Sequence, residues 1–397
     1  MATVPKITVL SSVQAMREWR QRQLGRSIGF VPTMGALHGT VTALSLILLS
    51  LLIFCANKMG TSTLVRTYPP GHTCRNSSKG VPVRRSLAIN DATVLSIFVN
   101  PAQFAPHEDY NTYPKTFDND VKQFHAILAE SRAHTDAVIF LPSVKDMYPS
   151  GIVLNVSDQR GTFVEVKGFS HQMEGKTRPI FFRGVATVSV ARFDGGIFRI
   201  SSAGGDEALQ RGSSEFLPPQ ERSTVLTWPN QPTRAYFGQK DIQQALILRR
   251  LTRDLLLSHP LPSNLIIVPT RRANDDGLAL SSRNAYLSDT EREYAGTLYA
   301  ALRLAQREWE GGSSSAEQTL TRAKDFVQQH IQGAEDCGVQ LKLDYIALTD
   351  PETFEPVDWA QRDDPNRTAV LSGALFVGKT RLIDNLLSGD ISSILSS

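Results

Sequence analysis

A chain of 397 residues is long for one compact domain and comfortable for two. Its 41% hydrophobic and 20% charged residues exclude wholesale disorder and collagen-like structure, and a net charge of +3 is too small to imply a nucleic-acid partner. Three cysteines without CxxC spacing exclude a disulfide scaffold and a structural zinc site, and fit a reducing, cytoplasmic setting.

In chain order, residues 27–33 (SIGFVPT) form a short apolar run ending at Pro, which predicts a buried strand. The stretch 41–56 is apolar with only Thr and Ser interruptions. Its 16 residues fall short of the roughly 18 to 20 needed to cross a bilayer, so no membrane partner is expected. Residues 92–100 and 136–142 repeat the strand pattern. Between them 118–132 has helical spacing, with Val121, Phe124, Ile127 and Leu128 on one face. Residues 234–237 lead into a helical stretch over 241–256, and 265–270 (LIIVPT) closes the series. Strands separated by helices imply a parallel sheet covered on its faces.

Beyond residue 270 the pattern changes. Ser288 and Glu291 make a capping box for a helix running to about Trp309, stopped by Gly311 and Gly312. A second helix covers about 315–331, followed by strand-like runs at 342–349 and 368–377. The expected organisation is an α/β domain over 1–268 and a smaller α+β domain over 269–397. Two segments fit neither. Residues 40–81 hold the apolar run and a Gly/Ser/Thr/Pro-rich tail with no acid, and 194–230 have scattered glycines and no sustained period. Structureless stretches of this length are rare inside a compact domain.

Four stretches at strand ends carry chemistry. Residues 32–38 (PTMGALH) put backbone amides and the His38 imidazole where a phosphate could sit, although a lone His after a turn is more often solvent-exposed and inert. Asn100 and Gln103, in FVNPAQF, suit hydroxyl and carboxylate recognition, although Asn-Pro is also ordinary turn chemistry. In FGQKD, Lys240 can place a point charge on a phosphate, and Asp241 can accept from ribose hydroxyls; a solvated Lys beside a helix-start Asp is the plainer alternative. Ser281, Ser282 and Arg283 together make a phosphate clamp, or else a solvated loop.

Taken together these stretches resemble the pantothenate synthetase (pantoate–β-alanine ligase) family of the nucleotidyltransferase superfamily. The similarity rests on PTMGALH at 32–38, on VRRSLAINDATVLSIFVNPAQFAPHEDYNTYPKTFDND at 83–120 and on LPSVKDMYPSG at 141–151. It continues through MEGKTRPIFFRGVATV at 173–188, QPTRAYFGQKDIQQ at 231–244, DGLALSSRNAYLS at 276–288, and the later DYIALTDPETFEP and GKTRLIDNLL. The resemblance implies a Rossmann-like domain for ATP and pantoate with a C-terminal lid, acting as a homodimer. It also implies a two-step reaction, in which pantoate and Mg2+-bound ATP give pantoyl adenylate and β-alanine then displaces AMP. By position it assigns catalysis to His38, Lys240 and Arg283. It assigns ATP contacts to Met34, His38, Gly238, Lys240, Asp241, Ser281, Ser282 and Arg283. Met34, Gln103 and Gln244 match pantoate contacts, Asn100 lies near the β-alanine amine, and no protein side chain is assigned to metal.

The sequence departs from the family pattern in three places. The family's HxGH motif is broken after His38, where Gly39-Thr40-Val41 follows. Residues 40–81 and 194–230 interrupt good matches on either side, and read as translated introns or disordered inserts. Without them about 318 residues remain, a sensible size for two domains. Pro179-Ile-Phe-Phe182 stands where many family members carry Gly-His before the Phe. The broken motif leaves an inactive ATP-binding relative as the alternative function. Residues 373–380 also satisfy GxxxxGK[ST], but their apolar interior reads as a strand and turn.

Overall fold

The computed structural model describes residues 7–35, 37, 80–104, 108, 110–131, 136–153, 155–169, 172–193, 232–312, 314–357 and 368–395. His38, the apolar stretch 41–56 and nearly all of 40–81 and 194–230 lie outside the described residues.

The apolar runs become six strands: β1 (Thr8–Leu10), β2 (Ile28–Thr33), β3 (Ala92–Ile97), β4 (Asp136–Phe140), β5 (Arg234–Gly238) and β6 (Leu265–Val268). They form one sheet in the order β1-β4-β3-β2-β5-β6, parallel at every pairing. Strands buried on both faces read as continuous apolar runs, as β3 does with all six residues buried. Because successive side chains point to opposite faces, neighbours divide between two cores. Phe30, Val94, Val138 and Ile267 enter one, and Val31, Leu95, Ile139 and Ile266 enter the other.

The covering helices are α1 (Val13–Gln21), α2 (Gly80–Ile89), α3 (Phe117–Glu130), α4 (Val144–Met147), α5 (Met173–Thr177), α6 (Phe181–Phe193) and α7 (Ile242–Asp254). α3 buries Phe124, Ile127 and Leu128, the stripe its spacing predicts. β1, α1, α2 and α6 are not among the elements expected from the sequence. α1 is nevertheless well marked, since Ser12 accepts a hydrogen bond from the Ala15 amide at 3.1 Å.

α6 presses closely on the turn Pro101–Gln103, and Gly184 makes this possible. A Cβ there would overlap the Ala102 carbonyl oxygen. Gly184→Ala is therefore expected to destabilise the chain by about 1–3 kcal/mol through overpacking, read as a lower urea midpoint with an unchanged slope.

The C-terminal part holds α8 (Asp289–Tyr294), α9 (Thr297–Glu310), α10 (Ala316–Asp336) and an antiparallel sheet of β7 (Leu341–Thr349), β8 (Ala369–Val377) and β9 (Thr380–Ser388) in that order. The single helix expected from Ser288 to Trp309 is two helices. They part at Gly296, where the 275–277 loop comes so close that a Cβ would lie 3.1 Å from the Asp276 carboxylate. Both α8 and α10 begin with reciprocal capping boxes, at Ser288/Glu291 and Ser315/Gln318. The GxxxxGKT stretch is the end of β8, a turn at Gly378 (φ +56°) and the start of β9. A chain that turns straight back into a strand has no helix N-terminus for a triphosphate, so the P-loop pattern is incidental. Among the described residues no helix is long and apolar enough to cross a membrane.

Candidate active site

From β2 the chain steps outward to β3 and β4 on one side, and β5 and β6 later fill the other side. The winding direction thus reverses between β2 and β5, and a crevice opens beyond the carboxyl ends of strands at such a point. A cleft with a cavity volume of about 230 Å³ lies there. Ten of the eleven residues singled out from the sequence line it, and the eleventh, His38, lies outside the described residues.

Each strand end contributes its part. Met34 follows β2, in a bend set by Gly35 (φ +96°), and the Asp120 carboxylate on α3 accepts the Leu37 amide, fixing the backbone that leads to His38. After β3, Asn100 and Gln103 bracket a short 3-10 turn. Asn100 is buried with both ends of its amide hydrogen-bonded. Its Oδ1 accepts from Tyr148 Oη at 2.7 Å and the Ala102 amide at 3.2 Å, and its Nδ2 donates to the Gly184 carbonyl at 3.2 Å. It therefore shapes the cleft wall. The Gln103 side chain, by contrast, makes no hydrogen bond among the described residues, and neither does Gln244 on α7.

Gly238 ends β5, and Lys240 and Asp241 follow in a 3-10 turn that runs into α7. Lys240 Nζ is 3.7 Å from Asp241 Oδ1, with the ammonium partly exposed and the carboxylate half-exposed. Beyond β6, Ser281 caps the turn Ser282–Tyr286 by accepting from the Arg283 amide at 3.3 Å. Ser282 Oγ lies 3.0 Å from Tyr113 Oη. Arg283 faces Glu108 at 3.8 Å.

The C-terminal sheet closes over this cleft through β9, whose Arg381, Leu382 and Ile383 line it. Asn385 Nδ2 donates to the carbonyls of Gln239 and Lys240, each at 2.9 Å, and so holds the β5 turn. Asp384 pairs with Arg272 at 2.9 Å. The tightest clasp is Glu174 on α5. It accepts both terminal guanidinium nitrogens of Arg381 at 2.9 Å, Arg178 at 2.6 Å and Tyr345 Oη at 3.1 Å.

Burial alone would raise the Glu174 pKa. The charges of Arg178 and Arg381, with their hydrogen bonds, outweigh it and hold the carboxyl at about 2. The same cluster raises Arg381, despite its burial, through its bonds to Glu174 and Asp344. Tyr345 is raised by burial and then by the Glu174 charge.

Glu174, Arg178, Arg381 and Arg192 line or brace the cleft, and the sequence pattern alone does not single them out. A clue stands at 178–182: Phe181 lines the cleft where the family pattern has its Gly-His, and the Arg178 guanidinium stacks on that ring at 3.9 Å.

Comparison with known proteins gives the family directly. The family model described as pantoate-beta-alanine ligase matches residues 8–47, 81–194 and 225–387. The pantothenate synthetase of Thermotoga neapolitana is 32% identical over 383 residues, covering 96% of this chain and 99% of the relative. The pantoate–β-alanine ligase of Saccharomyces cerevisiae is 30% identical over 395 residues, with 96% and 99% covered. Among solved structures, pantothenate synthetase from Thermus thermophilus superposes with a TM-score of 0.61 at 30% identity, covering 96% of this chain and 99% of that one. Pantoate-beta-alanine ligase from Francisella tularensis, complexed with beta-gamma ATP and beta-alanine, shares the fold with a TM-score of 0.57 at 24% identity. With its matched residues spanning both sheets and every strand end that lines the cleft, the chain belongs to the pantoate–β-alanine ligase family.

Proposed function

We propose that this chain condenses pantoate with β-alanine at the expense of ATP, forming pantothenate by way of pantoyl adenylate. A pantoate carboxylate oxygen bonds to the α-phosphorus as the bond to the bridging oxygen breaks and pyrophosphate leaves. The β-alanine amine then adds to the acyl carbon, AMP departs with the bonding pair, and the surplus amine proton passes to solvent. Neither step needs a covalent bond to protein, so positioning and charge stabilisation do the catalytic work.

The observation that carries this reading is the convergence of cations, two hydroxyls and two uncommitted amides on one cleft at the switch point. Lys240, Arg283, Ser281 and Ser282 suit phosphate oxygens, with His38 alongside them by family position. The Gly238 backbone and Asp241 suit the adenosine. Gln103 and Gln244, whose amides lack partners among the described residues, suit the hydroxyls of pantoate, with Met34 against its methyl groups. Partly buried amides of this kind are costly unless something pairs with them. Asn100 acts on the β-alanine side by holding the wall in place.

Magnesium belongs to the scheme as the partner of the triphosphate, whose charge it offsets. It keeps most of its waters and takes few protein ligands. The half-exposed Asp241 carboxylate on the wall suits an ion held mainly through its waters. A cytoplasmic homodimer completes the proposal. Residues 40–81 and 194–230 are, on this reading, foreign to the ligase fold. Support comes from the family match, which passes over 48–80 and 195–224, inside those segments. Transcripts sequenced across both junctions decide the matter, and an abundant full-length message would overturn it.

Pantoate-dependent exchange of labelled pyrophosphate into ATP tests the activity. Exchange without β-alanine, and AMP release only when β-alanine is added, are the expected results. ATP binding with no exchange would instead mark an inactive relative.

A further inference from the structure

Arg192, on the last turn of α6, is the most deeply buried cation of the described cleft wall, at 5% exposure. Its Nε and Nη2 are buried without a hydrogen-bond partner. Its guanidinium carbon lies 5.1 Å from the centroid of the Phe98 ring. The other cations on the wall are committed or solvated: Arg178 and Arg381 to Glu174, Lys240 to Asp241, Arg283 to Glu108, and Arg271 to solvent. An uncompensated buried guanidinium is expensive, and its planar fork is shaped to take a carboxylate through two parallel hydrogen bonds.

Resting on the ligase reading, we propose that Arg192 is the cleft's receptor for a substrate carboxylate. Its place in the fold argues against phosphate. Arg192, Phe98 and Tyr148 belong to the β3–β4 side of the cleft, whereas Lys240 and Ser281 to Arg283 stand at the ends of β5 and β6. The reaction has two carboxylates. That of pantoate must reach the α-phosphorus, and a guanidinium clamped on it would blunt its attack. That of β-alanine reacts in neither step and needs a permanent partner, so the chemistry favours β-alanine. Burial, which pulls the Arg192 pKa down to about 10, leaves the group charged at neutral pH.

The test uses Arg192→Gln and Arg192→Lys in the full chain, with the two half-reactions read separately. For a β-alanine receptor, Arg192→Gln raises the β-alanine KM roughly 30- to 100-fold, while pantoate-dependent exchange keeps its pantoate KM and rate. Arg192→Lys, which keeps charge but loses the fork, falls between. Propylamine, which lacks the carboxylate, becomes as good a nucleophile as β-alanine in the Gln variant but not in the unaltered chain. For a pantoate receptor the pantoate KM of exchange rises instead, and the β-alanine KM holds. Both KM values staying within threefold in either folded variant overturns the assignment while leaving the ligase reading intact. Absence of exchange in the unaltered chain overturns both together.

Discussion

Glu174→Ala is expected to lower the stability of the chain by about 3–5 kcal/mol, more than the overpacking at Gly184. The carboxylate is 4% exposed and receives Arg178, both terminal nitrogens of Arg381 and the Tyr345 hydroxyl. Removing it leaves two buried guanidinium groups whose remaining acidic partners among the described residues are Asp344 and the more distant Glu108. The loss also removes the ionic link from α5 to β9 and the Tyr345 bond to β7. Thr177–Asp344 and Met173–Ser372 remain as the polar contacts of α5 with the C-terminal sheet among the described residues, so urea unfolding is expected to become less cooperative as that sheet loosens from the cleft. Glu174→Gln keeps the shape but leaves two cations facing an uncharged amide, and should lose nearly as much.

The pH dependence of that clasp has a definite sign. The Glu174 carboxyl ordinarily titrates at 4.5 and is held at about 2 in the folded chain. A depressed carboxylate contributes its stability in full above the unfolded value, and loses it as pH falls from about 4.5 towards about 2. The difference is worth roughly 3 kcal/mol. The stability gap between the unaltered chain and Glu174→Gln should therefore stay constant from pH 7 to 5 and close below 4.5. A gap that widened in acid would show that the cluster is not held together by ionised Glu174.

How much of this is legible in the sequence follows from the range of each interaction. Strands β2 to β6 are continuous apolar runs, because both faces of a parallel sheet are covered, and such runs stand out locally. Three site residues follow their runs by a few positions, so Asn100, Gln103 and Lys240 can be found once the strands are found, whereas Ser281 lies well beyond the end of β6. The three-residue β1 is too short to show a pattern. β9 reads TRLIDNLLS and carries Arg381, Asp384 and Asn385 into the interface, so its composition hides a strand buried at seven of nine positions. Glu174 meets Arg381 across 207 positions of chain, and nothing local in MEGKTR announces that partner. Arg192 is inconspicuous because α6 has little amphipathic contrast: one face covers the sheet and another lines the cleft, so both are largely apolar.

Lys240→Ala should leave stability nearly unchanged and lower the rate of pantoate-dependent ATP–pyrophosphate exchange by about 10²- to 10³-fold. The first half follows from its surroundings. The ammonium is 22% exposed and its ion pair, to a half-exposed Asp241 at 3.7 Å, belongs to the class worth about 0–1 kcal/mol. The second half follows from where the turn puts it. Asn385 pins the Lys240 carbonyl, and α7 begins two residues later with no side-chain cap at Asp241, so its positive end adds to the field around Asp241 and Gln244 on the cleft wall. A point charge held there by backbone contacts meets the phosphates without reorganising, and it gains most in the transition state, as negative charge builds on the departing pyrophosphate. The fall should accordingly appear in the maximal exchange rate more than in the KM for ATP. Lys240→Arg should recover only part of it, since a planar fork does not replace a compact ammonium. A solvated lysine at a helix start would instead cost less than threefold in either variant, and that outcome would remove Lys240 from the phosphate site and leave the work to Arg283 and its neighbouring hydroxyls.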